Sequence, residues 1–119
     1  MNPWLDPAHE ETQLAKYLLE INYTLDGLRG VKSEGGSARV AAATSLVEGL
    51  GGKIDSFNFA FGGTDAYVTV EMPDDVSVAA AAMAVSTGGG ATARTVVLLT
   101  AAQIDAAAEK QTTYRPPGN

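Results

Sequence analysis

Cysteine is absent from this chain, histidine occurs once, and no hydrophobic stretch is long enough to cross a bilayer. Each absence removes a class of function. Without thiols there is no disulfide framework, no thiolate nucleophile and no zinc site built on cysteine. The lone imidazole, His9, sits in a Pro-containing acidic leader. Transition-metal centres need several imidazoles or thiolates, so neither a metal nor any other cofactor is expected. Basic residues are scarce too: eight Lys and Arg face fourteen acids, a net charge of −6. Nucleic acids and anionic membrane surfaces both demand a dense basic footprint, and neither is an expected partner. The opening Met1-Asn2-Pro3-Trp4-Leu5-Asp6-Pro7 has no basic start and no apolar run, unlike a secretory signal. The Ala-rich stretch Val76–Val85 falls short of the roughly 20 apolar residues of a spanning helix. A cytoplasmic location is the expectation.

What is present suits one domain. A chain of 119 residues buries roughly two-thirds of its extended-state surface and needs no staple. Residues 1–13, with two prolines and three acids, read as an arm; residues 14–111 as the folded domain; residues 112–119 as an extended tail. From Lys16 to Tyr23 the pattern alternates, with Tyr17, Leu19, Ile21 and Tyr23 on one face and Lys16, Leu18, Glu20 and Asn22 on the other, which predicts a strand. Thr24 or Asp26 caps a short helical segment over Leu25–Lys32, broken at Ser33-Glu34-Gly35-Gly36. Ser37 is then the expected N-cap of a longer helix carrying Val40, Ala43, Val47 and Leu50 on one face. Gly51-Gly52 stops it.

Two alternating runs follow, Lys53–Phe61 and Ala66–Met72, joined by the turn chemistry of Gly62-Gly63-Thr64-Asp65. They predict a hairpin with Phe57, Phe59 and Phe61 pointing one way. Pro73-Asp74-Asp75 opens an alanine-dominated helix, its carboxylates offsetting the positive end of the dipole, and Gly88-Gly89-Gly90 closes it. The β-branched run Thr92–Leu99 is the last strand, and Thr100 caps a final helix over Ala101–Lys110. The order β-α-β-β-α-β plus a trailing C-terminal helix is the α+β, ferredoxin-like pattern. Its helices cover one face of the sheet only. The bare face retains apolar groups, and a second copy is the simplest cover, so the expected partner is the chain itself, as a homodimer or higher homo-oligomer.

The stretch Gly63-Thr64-Asp65-Ala66-Tyr67-Val68-Thr69-Val70-Glu71-Met72-Pro73-Asp74-Asp75 resembles the signature region of the GYD-domain family, small bacterial proteins named for a Gly-Tyr-Asp turn before the third strand. Lys16-Tyr17-Leu18, Tyr23-Thr24, Gly35-Gly36-Ser37-Ala38-Arg39 and the tail Tyr114-Arg115-Pro116-Pro117-Gly118 extend the likeness. Thr64 departs from it, standing where the family name expects Tyr; Tyr67 is the nearest phenol. The resemblance implies the dimeric α/β-barrel fold. That superfamily spans cofactor-independent monooxygenases, haem-degrading enzymes, dehydratases, isomerases and ligand-binding transcription-factor domains, so the fold alone does not name a reaction.

Four groups of residues carry candidate chemistry, each beside a plainer role. Gly35-Gly36-Ser37, flanked by Arg29, Lys32 and Arg39, offers helix N–H groups and cations to an anion, or simply bends a broken helix. Asp65 and Tyr67 offer a base and a donor toward an enolisable or phenolic substrate, or shape the turn and pack on the sheet. Glu20, Asn22, Asn58, Thr69, Glu71 and Arg94 are polar groups inside strands, with Arg94 expected to pair with Glu71 or Glu20 either at a dimer seam or in catalysis. Phe57, Phe59, Phe61, Tyr17 and Tyr23 line a pocket for a planar ligand or fill the core. Small side chains on the Ala-rich helix fit either reading.

Two functions therefore stand. One is a cofactor-independent enzyme or binder of a small aromatic or enolisable molecule, with Asp65 and Tyr67 in catalysis and Arg39, Arg94, Ser37, Tyr23 and Phe59 in binding. The other is a non-catalytic oligomeric module, the Tyr114–Gly118 tail strapping a neighbour. An interior cavity touching Tyr67 and an arginine favours the first; a filled interior favours the second.

Overall fold

A computed structural model describes residues 14–119; the N-terminal arm 1–13, His9 included, lies outside the described residues. Four strands, β1 (Ala15–Tyr23), β2 (Lys53–Phe59), β3 (Ala66–Met72) and β4 (Ala91–Leu98), form one antiparallel sheet in the order β2-β3-β1-β4. Four helices join or follow them: α1 (Leu25–Glu34), α2 (Gly36–Gly49), α3 (Asp75–Thr87) and α4 (Ala101–Ala108). This is the expected α+β, ferredoxin-like arrangement.

Register shows which side of each strand faces the helices. Tyr17, Leu19 and Ile21 of β1 sit opposite Val70, Val68 and Ala66 of β3, and all six are buried. Together with Met72 of β3, Val47 of α2 and Val78 of α3, they make the core. The other face carries Lys16, Leu18, Glu20 and Asn22 beside Tyr67, Thr69 and Glu71, and no helix among the described residues covers it. β2 reaches this register through a bulge between Ile54 and Ser56. Strict alternation back from Phe57 would turn Ile54 outward and Asp55 inward; the extra residue resets the phase so that Ile54 packs against the core.

The helix ends differ in places from expectation. Thr24 does cap α1, accepting from the Gly27 amide, and that helix runs on to Glu34. Only Gly35, at φ 89°, separates it from α2. That glycine is the N-cap of α2, without a side-chain bond, so Ser37 is not the cap but lies inside the first turn. Asp74 caps α3 through the Ser77 amide at 2.8 Å. Thr100 and Gln103 form a reciprocal capping box on α4, which ends at Ala108. β2 stops at Phe59, leaving Phe61 on the connecting loop and fully exposed. The tail does not stay extended either: Gly118 at φ 85° and a bond from Asn119 N–H to the Pro116 carbonyl fold its end into a turn.

Candidate functional site

The interior between sheet and helices is not full. A cavity of about 430 Å³, open to solvent along the helix side where Glu34, Ala42 and Ala84 are exposed, lies there. Its floor is Leu19, Ile21, Tyr23, Phe57, Val68 and Ala91 of the sheet. Its walls come from three helical stripes: Gly27, Gly30 and Glu34 of α1; Arg39, Ala42, Ala43, Leu46 and Val47 of α2; Ala81, Ala84 and Val85 of α3. Spacings of three and four put each set on one helix face. Six of these eleven helical residues are glycine or alanine, too short to fill the space above the sheet, and protein interiors otherwise leave few voids larger than a water molecule. A local latch sets the helix position at the rim: Thr24 N–H donates to the Gly90 carbonyl at 3.0 Å and its hydroxyl to that of Gly89 at 2.9 Å.

Polar groups reach this space from one end. Arg39, at the start of the α2 stripe, makes a long, solvent-exposed pair with Glu34 at 3.9 Å. Its Nε is buried with no hydrogen-bond partner among the described residues. Tyr23 stands nearby at the end of β1. Burial pushes its phenol above the ordinary value; the Arg39 charge opposes this and the Asp65 carboxylate adds to it. Tyr23 therefore enters the cavity as a protonated donor at neutral pH.

A second, more open hollow adjoins the first through Tyr23, and Leu28, Val31, Gly36, Phe59, Phe61 and Asp65 line it. Asp65 is held here by the chain: its Oδ2 accepts from Tyr23 N–H at 2.8 Å, its N–H donates to the Ile21 carbonyl, and its carbonyl accepts from Ala60 N–H. Asn22 Nδ2 donates to the Gly63 carbonyl at 2.7 Å and fixes the same turn. Tyr67 is elsewhere. It lies on the bare sheet face, opposite Glu20 and Asn58, and lines neither hollow. The spacing of two that would set Asp65 and Tyr67 side by side does not do so, because Asp65 precedes the strand and turns toward Tyr23.

Of the other expected site residues, Arg39 and Tyr23 meet at the main cavity and Phe59 lines its neighbour. Ser37 lines neither. Arg94 pairs with Glu20 at 3.4 Å on the bare face, while Glu71 pairs with Lys53 at 3.0 Å; Lys53 holds the Glu71 carboxyl below the usual range. Glu34 and the glycines of α1 were not legible as site residues, although the Gly27–Gly30 spacing on a helix is itself a signal of missing side-chain volume. Among the described residues no three His, Asp or Glu side chains converge as metal ligands, and no helix is long and apolar enough to cross a membrane.

The family model of the GYD domain matches residues 17–108, from the first strand through the last helix. The chain belongs to the GYD-domain family. No curated protein and no solved structure matches it significantly. In this GYD domain the turn Gly63-Thr64-Asp65 carries no phenol, and Thr64 is buried. The phenols nearest that turn are Tyr23, on the cavity side, and Tyr67, on the bare side.

Proposed function

We propose that this GYD domain binds a small organic molecule in the space between its sheet and helices. The cavity itself carries the reading: about 430 Å³, mostly apolar walls and a few polar groups at one end fit the usual form of a small-molecule site. The polar groups are Tyr23 and Arg39, with Phe59 and Asp65 next door. Enzymatic turnover without a cofactor would have to use this set. Asp65 keeps one carboxylate oxygen free of the Tyr23 amide, and Tyr67, on the far face, would act only if a second copy brought a substrate to it.

The bare sheet face supports self-association as part of the same reading. Leu18, Val96, Leu98 and Tyr67 lie together there, flanked by the Arg94–Glu20 and Lys53–Glu71 pairs. A two-fold mate would bury them and make the dimeric barrel. The second reading, a non-catalytic assembly module, draws on α4: none of its eight residues is buried, Ile104 is half exposed, and Tyr114 beyond it is free. Isolated helices of fewer than about 12 residues are marginal in water, so α4 and the tail would dock on a neighbour.

Native mass spectrometry of freshly purified protein separates these. A retained organic molecule on a species of twice the 12.3 kDa chain mass is the outcome expected of the ligand-binding dimer. A ligand-free oligomer that dissociates on removal of residues 112–119 would favour the assembly module instead.

A further inference from the structure

Resting on the ligand-binding reading, we propose that the molecule held in the main cavity is a carboxylate with an apolar body, its carboxylate seated on Arg39 and the Tyr23 hydroxyl. The walls set the body. At about 30 Å³ per water-sized unit, 430 Å³ holds about fourteen such units, the scale of a fused bicyclic arene or a medium-length alkyl chain. Leu19, Ile21, Phe57 and Val68 meet it from the sheet and alanines from the helices, and none of these can satisfy a polar group in its middle.

The head is set by a single cation. Among the described residues Arg39 is the only basic one lining the cavity, and its buried Nε has no hydrogen-bond partner there. Leaving a guanidinium N–H buried and unpaired is costly, and a planar carboxylate is the group whose oxygens match the guanidinium fork. Tyr23 supplies a second donor from the floor, and its hydroxyl donates to no protein atom among the described residues. A phosphate or another dianion would ask for more positive charge than one arginine gives, in a chain of net charge −6. Glu34 stands where a competitor would: 3.9 Å from Arg39 and mostly in solvent, it holds the guanidinium loosely until a ligand carboxylate takes its place.

Calorimetric titration with 1-naphthoate and its neutral isostere 1-naphthamide tests this. The unaltered protein is expected to bind naphthoate about tenfold or more tighter than naphthamide, the worth of a charge-assisted hydrogen bond. Arg39→Gln should remove that preference while naphthamide binding persists, which also reports that the variant is folded. Glu34→Gln should tighten naphthoate several-fold and leave naphthamide unchanged. Equal affinity for the two probes in the unaltered protein overturns the carboxylate assignment and leaves the cavity reading standing. A preference that survives Arg39→Gln overturns the role given to that residue. Binding of neither probe overturns both the assignment and the reading beneath it.

Discussion

At Tyr17 one hydroxyl ties the sheet to the start of α3. The ring is 1% exposed in the centre of β1, and its OH donates to the Asp75 carboxylate in the first helical turn. Chiefly that bond, then burial and the nearby Asp75 and Asp74 charges, push the phenol from 10.0 up to about 12. A raised acid of this kind keeps its proton in the fold after the unfolded chain has lost its own. Its contribution to stability is whole below pH 10 and drains away as the pH climbs toward 12. Tyr17→Phe is expected to cost about 1.5–3 kcal/mol at pH 7 in urea unfolding, the worth of a bond to a charged group. It should also flatten the fall in urea midpoint between pH 10 and 12. An equally steep fall in the variant would show that other groups carry the alkaline loss. Tyr17 was legible as an inward strand residue from alternation alone, but its carboxylate partner 58 positions away was not.

Among the elements, α1 is the one whose seat the cavity most depends on. Gly27 meets the α3–β4 loop so closely that a Cβ there would lie 1.7 Å from the Gly90 carbonyl oxygen, whereas one on Gly30 would meet nothing within 4 Å. Both glycines line the cavity, so the pair separates contact from helix propensity. Gly27→Ala is expected to lose about 1–3 kcal/mol by overpacking and to loosen the latch between Thr24 and Gly89-Gly90. Gly30→Ala should be neutral or gain up to about 1 kcal/mol. Thermal unfolding of the two variants side by side reads the difference, and equal effects would contradict the packing described.

The elements themselves could be read from the sequence because caps and alternation are local. Thr24, Asp74 and Thr100 cap where short-range chemistry says they should, and the Gly-rich connection before Ala66 does join two strands. What escaped was set by tertiary register. The bulge at Asp55 that turns Ile54 inward answers to the β3 partner rather than to any turn residue. Gly35 displaced Ser37 as cap because a single residue had to redirect the chain from one helix into the next. The candidate site was half legible for the same reason. Arg39 and Tyr23 were named as binding residues on separate grounds, but that they share a cavity follows from how α2 lies over β1. Asp65 and Tyr67 are two residues apart, but Asp65 belongs to the turn before β3, where strand alternation does not set the direction of its side chain.

On the scale of the whole molecule, the two sides of the sheet have different work. The helix side holds a space; the bare side holds Leu18 and Val96 within a frame of ion pairs, and a second copy is the cover proposed for it. Val96 is 39% exposed in the isolated chain, so Val96→Glu should fold as well as the unaltered protein. Like charges set against each other across a two-fold axis would nevertheless drive the assembly apart. Light scattering is expected to report the 12.3 kDa chain for the variant and twice that for the unaltered protein. An unchanged mass would move the interface away from this face.

On this reading ligands enter the space between sheet and helices rather than the Gly63-Thr64-Asp65 turn or the open sheet. Backbone amide shifts on titration with 1-naphthoate test it most directly. The largest changes are expected on Tyr23, Gly27, Gly30, Arg39, Ala43 and Val85, with Tyr67, Arg94 and Val96 unmoved. Shifts concentrated on those last three, with the cavity residues silent, would contradict it.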